Sequence, residues 1–544
     1  MNQRLKWMCF SFLLLLTLTL AACSGGKETA KESNESENPS SSDSSQSDEP
    51  KYGGTVTVAM PADALTLDPH ESATYQVHDR AGLVYNKLVT FKTGPDAAYA
   101  DATIVPDLAE EWEVSEDGKT YTFHLREAYW HDLPPVNGRK VVAEDVVATM
   151  ENILNQPGHQ LNLLDAVESI EAPDEQTVVF NLKTVFAPFL TNMASHFMWI
   201  LPKEAIEGQI NLAEEAIGTG PFMLEKWDKN IKASYVRNPN YFEEGKPYLD
   251  GVDIMIIPDQ AARIAAFRTG QIEYMSEISP EDWENLKRTN PDTIENRKLY
   301  ATQSQLAMGM KHEKFKDERV RQAISMAIDR QNAVDRIYGG GEISAPVNPT
   351  MGDWSLPIEE REELLAYDPE KAKQLLADAG FPNGFDTVIM TTEAYGEELV
   401  RLAQWVAEDL KAIGINAEIE VAEYGSFIER WRAGDFELKF GYITRYQEVD
   451  EWLYYQFHTN GVGNYFGDSY PELDKILEEQ RVLLDVDARK AKVHEAQRYI
   501  LKHVLNPMPI VTQYRTLPIP PYLQAWHEHA SYGYIHMKNV WLDK

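Results

Sequence analysis

Residues 106–126, PDLAEEWEVSEDGKTYTFHLR, carry a complete β-hairpin pattern and constrain the chain more than any other stretch. Trp112 and Val114 alternate with charged neighbours on the first arm. Tyr121, Phe123 and Leu125 alternate with Thr122, His124 and Arg126 on the second. Ser115 to Lys119 supply the turn, and Asp117-Gly118 offers the positive φ that tight hairpins need. With 544 residues the chain is too long for one core, so two or three domains are expected around this hairpin.

The first residues read as an address. Arg4 and Lys6 form a basic start, residues 10–20 an apolar run, and Leu20-Ala21-Ala22-Cys23 a small-residue cleavage site. The run is short beside the roughly 20 apolar residues of a membrane span. Leu-Ala-Ala-Cys resembles the lipobox of bacterial lipoproteins, which implies a signal peptide over residues 1–22 and lipidation of Cys23. Cys9 would leave with the signal, so the mature chain has no disulfide. Residues 23–51 form a Ser/Glu-rich, disordered tether spanning roughly 30 Å. The expected location is extracytoplasmic, anchored to the outer face of the cytoplasmic membrane, or periplasmic where the cell has two membranes.

Charge and motif content narrow the function. Eighty-six acidic against 51 basic residues give a net charge of −35, which argues against a nucleic-acid partner. There is no Gly-x-Ser-x-Gly elbow. His494-Glu495 lacks the second histidine of a zinc protease, since Arg498 stands there. Gly118-Lys119-Thr120 ends like a phosphate loop but has Glu113 in place of the first glycine. His527-Glu528-His529 reads as two exposed histidines rather than a metal site. No catalytic residue, metal or cofactor is expected, and an enzyme reading has little support.

Along the folded body, residues 54–60 read as the opening strand and residues 142–154 as a helix whose Val142 cannot cap, leaving Asp145 to offset the loss through the helix dipole. Residues 260–268 read as a helix, Ser279-Pro280 as a capped helix start, and residues 317–338 as one long helix stopped by Gly339-Gly340-Gly341. Residues 387–390, 399–413 and 415–421 form a strand–helix–strand unit with a parallel, right-handed connection. Several of these stretches together resemble the signatures of the family 5 extracellular solute-binding proteins, the peptide- and nickel-type receptors of bacterial ABC importers. They are the hairpin with its leading Leu108-Ala109-Glu110, Leu67-Asp68-Pro69-His70, Gly218-Thr219-Gly220-Pro221-Phe222, Val236-Arg237-Asn238-Pro239-Asn240-Tyr241-Phe242, and DERVRQAISMAIDR from Asp317.

The resemblance covers nearly all of residues 52–541 and implies an α/β, two-lobed, periplasmic-binding-protein-like (type II) fold with a ligand cleft between the lobes. Lobe I would comprise residues 52–300 and 512–544, with an extra subdomain at about 76–215, and lobe II residues 301–511. The implied function is a monomeric receptor that binds oligopeptides by hinge closure and passes them to ABC permease subunits. A nickel chelate, opine, glycan or haem is the alternative cargo, and a secreted hydrolase on the same scaffold the more distant one. By the same resemblance, ligand contacts fall on Ala73, Thr74 and Tyr75 in one lobe and on Gly441, Tyr442, Ile443, Arg445, Tyr446, Glu448, Asp450 and Trp452 in the other. Several peptide receptors place an aspartate at the position of Arg445 to hold the ligand's amino terminus. A cation there would repel an ammonium group. Either Glu448 or Asp450 takes over that task, or the ligand lacks a free amine near this point. Arg445 itself would hold a ligand carboxylate in a bidentate fork, or turn away and pair with Glu448 on the surface.

Overall fold

The computed structural model describes residues 49–72, 74–155, 163–276, 278–443 and 445–544. The signal segment, Cys23 and most of the tether lie outside the described residues, as do Ala73 and Thr444. Among the described residues no helix is long and apolar enough to cross a membrane.

The first lobe is built on a five-stranded mixed sheet. Its order is Tyr274–Met275, Thr55–Met60, Gly251–Ile256, Lys232–Arg237 and Phe222–Asp228. Thr55–Met60 runs parallel to Gly251–Ile256, and the register sets Val56 beside Val252 and Val58 beside Ile254. All four side chains are buried in one core that continues into the subdomain.

In the subdomain the hairpin forms as its sequence requires. Ala109–Val114 pairs antiparallel with Thr120–Leu125, and Gly118 takes φ +68 in the turn. Thr177–Leu182 and Val167–Asp174 complete a four-stranded sheet, with the helix Ala143–Asn155 burying Val146, Met150 and Ile153. The second arm buries Tyr121, Phe123 and Leu125. The first arm departs from its expected alternation, with Val114 44% exposed and Trp112 only half-buried. Ala109–Val114 is the edge strand and its pairing with Thr120–Leu125 is bulged between Ala109 and Glu111, which interrupts the alternation of its side chains. Asp145 does more than complement the dipole. Its carboxylate accepts the Val142 amide at 3.1 Å, the Trp130 indole N–H at 3.2 Å and the Lys203 amide at 3.0 Å.

The second lobe has its own five-stranded sheet, ordered Ile415–Val421, Phe385–Thr391, Leu438–Tyr442, Ser304–Met308 and Met508–Pro509. Phe385–Thr391 and Ile415–Val421 are parallel, joined through the helix Glu397–Lys411, which buries Leu399, Leu402, Val406 and Leu410. The long helix expected over residues 317–338 is two helices, Glu318–Ala327 and Arg330–Tyr338. Ile328 leaves helical geometry at ψ 117, and Asp329 starts the second helix by accepting the Asn332 amide at 3.2 Å. The buried Arg330 holds the break by donating to the Ser325 carbonyl at 2.9 Å.

Between the sheets, Val511–Ile519 pairs with Ile294–Leu299 on one side and Gly341–Ile343 on the other. The chain passes from Ile294–Leu299 through Tyr300 to Gln303 into Ser304–Met308 of the second sheet. Ser344 donates to Gln303 at 2.8 Å and shares a 2.9 Å hydroxyl contact with Thr512, so this strand junction is a buried, satisfied polar network.

Candidate functional site

A cavity of about 940 Å³ lies between the two sheets and the connecting strands. The first lobe lines it with Thr74, Tyr75, Asp79, Tyr274, Tyr532 and Tyr534. Tyr300 and Gln513 line it from the connections, and Tyr395, Trp431, Tyr442, Ile443 and Arg445 from the second lobe. Its size and aromatic walls with a few charged groups are those of a small-molecule or peptide site.

On the first lobe, Thr74 opens the helix Tyr75–Val84, its carbonyl accepting the Val77 amide at 3.1 Å. Tyr75 and Asp79 are four residues apart and share one helix face. The C-terminal segment packs on that helix closely enough that a Cβ on Gly82 would stand 2.0 Å from the Gly533 carbonyl oxygen. The approach lets the Gly533 amide donate to Asp79 at 2.9 Å. Burial pushes the Asp79 carboxyl up to about 6, against the opposing pull of that amide and of Arg445.

On the second lobe, Tyr442 ends the strand Leu438–Tyr442, whose other residues are buried. Its hydroxyl meets the Tyr338 hydroxyl at 2.8 Å, and its ring stands edge-on to Tyr395 at 5.9 Å. The Ile443 amide donates to the Gln303 carbonyl at 3.2 Å. Pairing of this strand with Phe385–Thr391 stops at Lys439, so from Phe440 onward that edge has no partner strand among the described residues. Arg445 reaches towards the first lobe, its guanidinium 4.9 Å from the Tyr300 ring centre and 4.8 Å from that of Tyr532.

Five residues nominated from the sequence do not line the cavity. Gly441 faces its own lobe, where a Cβ would meet the Lys439 ammonium at 3.1 Å. Tyr446 and Trp452 stack on each other, ring centres 5.7 Å apart, inside a helical core, and the Tyr446 hydroxyl accepts the Asn348 amide at 2.8 Å. Glu448 caps the helix Val449–Phe457 and pairs with Arg489. Asp450 pairs with Arg481 at 3.0 Å and accepts from Gln480. Neither acid is free to receive a ligand ammonium, nor does Arg445 pair with Glu448. Ala73 lies outside the described residues. Of the His527–His529 cluster, only His527 is exposed as expected. His529 is buried, stacks on Phe91 at 4.8 Å and donates to the Asp101 carbonyl at 2.9 Å, while Glu528 is paired with Arg515 and Lys298.

The tyrosines from the C-terminal segment and the connections, with Asp79, were not singled out by sequence reasoning. They sit in loops and at helix faces with no periodic signature, and their convergence depends on contacts hundreds of residues apart.

Two α/β lobes joined by shared strands around such a cavity define a type II periplasmic-binding-protein-like receptor. The pattern of the bacterial extracellular solute-binding proteins, family 5 (middle region) matches residues 103–464, and the chain belongs to this family of binding proteins. It is 30% identical over 478 residues to di/tripeptide-binding protein 2 of Pseudomonas aeruginosa, covering 82% of this chain and 87% of that one. It is 27% identical over 569 residues to heme-binding protein A of Haemophilus influenzae, covering 98% of each. Among solved structures it is similar to the ABC transporter-associated periplasmic binding protein DppA of Helicobacter pylori in complex with the peptide STSA. There the TM-score is 0.76 and the identity 28%, over 91% of this chain and 99% of that one.

Proposed function

We propose that this chain is the receptor subunit of an ABC importer and captures short peptides by closing its two lobes around them. The observation that carries the reading is the cavity bordered by both lobes, with an aromatic wall and an unpartnered strand edge beyond Lys439. An extended peptide adds to such an edge through its backbone, which gives affinity with little side-chain preference. Thr74 and Tyr75 contact the ligand from one lobe and Tyr442, Ile443 and Arg445 from the other. Only the closed form makes both sets of contacts, so the ligand stabilises closure by its differential affinity. A micromolar ligand has about 8 kcal/mol to divide between binding and closing. The receptor is monomeric, anchored outside the cytoplasmic membrane through lipid on Cys23, and hands its cargo to a permease.

Native mass spectrometry of the protein mixed with a tri- to pentapeptide library tests this. Adducts of intact peptide mass are expected. A spectrum of bare protein alone, with a haem or opine adduct under the same conditions, would contradict the peptide assignment.

A further inference from the structure

Among the described residues, all but two of the charged side chains on the cavity wall are held by a countercharge or by backbone carbonyls. Glu528 pairs with Arg515 and with Lys298, Arg263 donates to the carbonyls of Ile257 and Pro258 at 2.7 and 2.8 Å, and Glu398 pairs with Arg401 at 3.2 Å. Arg445 and Asp79 remain. Among the described residues no carboxylate lies within ion-pair distance of Arg445, and its buried Nε has no hydrogen-bond partner. Among the described residues no cation lies within ion-pair distance of Asp79, and its one hydrogen bond there is from the Gly533 amide.

From this we infer that Asp79 and Arg445 form a two-point charge receptor for the free ends of one short zwitterionic peptide, ammonium to the first lobe and carboxylate to the second. The inference rests on the peptide reading above and adds which ends are read, and by what.

The geometry suits each group to its task. Tyr300 and Tyr532 hold the Arg445 guanidinium by their rings, at 4.9 and 4.8 Å from its carbon to the ring centres, and leave its Nε without a hydrogen-bond partner. A planar fork held in this way matches a carboxylate through two parallel hydrogen bonds, which a lysine could not do. An ionised carboxylate accepts about four hydrogen bonds, and Asp79 receives one. The segment Tyr532-Gly533-Tyr534 sets both charges at once, stacking on Arg445 through Tyr532 and donating to Asp79 through Gly533.

Asp79 and Arg445 are held by the adjacent residues Gly533 and Tyr532, so the two charges lie near one another. A ligand that satisfies both therefore has its two charged ends near one another, which favours a short peptide over a long one. Closing on a ligand that lacks either end would bury one of these charges without a partner, which disfavours closure. Discrimination therefore comes from the cost of an unmatched group as much as from the contact itself.

Calorimetric titration with trialanine, N-acetyl-trialanine and trialanine amide is the test. In the unaltered protein each blocked peptide is expected to bind at least about tenfold more weakly than the free one, a difference of about 1.4 kcal/mol. Arg445→Gln should bind the free peptide and the amide alike while still rejecting the acetylated form. Asp79→Asn should accept the acetylated form and still reject the amide. The discrimination retained at the opposite end shows that each variant is folded and competent. Equal binding of all three peptides by the unaltered protein would overturn the charge assignment alone, as would Arg445→Gln that still rejects the amide. Failure of all three to bind would overturn the peptide reading and this inference with it.

Discussion

Glu448→Ala is expected to lower the unfolding free energy by about 3–5 kcal/mol while leaving peptide affinity, measured well below the melting temperature, unchanged. Glu448 and Arg489 are 6% and 7% exposed as side chains, and the carboxylate also caps the helix Val449–Phe457. Arg489 donates to Gln480 at 3.0 Å, Gln480 donates to Asp450, and Asp450 accepts from Arg481 at 3.0 Å. The chain of contacts ties the helix Val449–Phe457 to the helices Pro471–Arg481 and Val486–His503. Removing Glu448 leaves the Arg489 guanidinium buried without its countercharge, which costs more than the pair itself contributes. Urea unfolding should show a lower midpoint with an unchanged slope. Replacing both partners with apolar residues of similar volume should recover most of the loss. A variant of full stability that had lost peptide binding would instead return Glu448 to the ligand site.

Stability should also fall steeply on the acid side. Burial holds His78 and His536 near about 3, and His131 and His529 near about 4. In the unfolded chain these imidazoles protonate near pH 6.5. Below that pH the unfolded state takes up protons that the folded state refuses. Stability is therefore intact above about pH 6.5 and is lost progressively as pH falls towards the folded values near 4 and 3. One unit of difference corresponds to about 1.4 kcal/mol, so four such groups outweigh the opposite effect of Asp79 and Asp450. Those two carboxyls are raised to about 6 and add stability as pH falls from there towards 4. Urea titrations should give an unfolding free energy several kcal/mol lower at pH 4.5 than at pH 7.5, with His529→Asn flattening part of the slope. A profile level across that range would contradict the burial of these rings as neutral groups.

The elements that could be read from the sequence are those whose cause is local. Asp259, Ser279, Asp368 and Asp485 each cap the helix they precede, and Gly339 ends another at φ +68. The helix Gln260–Arg268 and the parallel strand–helix–strand unit need nothing beyond their own periodicity and stop signals. The break at Ile328 was hidden because the apolar spacing continues across it, and the buried Arg330 that fixes it makes its contacts only in the folded lobe.

The site was legible only in part, for the same reason. Tyr442, Ile443 and Arg445 follow directly on the strand that carries them to the cavity. Glu448 and Asp450 looked like cleft acids because their partners Arg489 and Arg481 lie 41 and 31 residues further on. Asp79 showed no sign of a role because the amide that positions it belongs to Gly533, 454 residues away.

Arg445 of the second lobe stacks on Tyr532 of the first, a contact that exists only when the lobes stand together. Small-angle scattering of the protein with and without a peptide it binds measures whether that state is driven by ligand. A radius of gyration that decreases on saturation with peptide is the expected result, whereas an identical radius with peptide demonstrably bound would contradict closure of two lobes on their cargo.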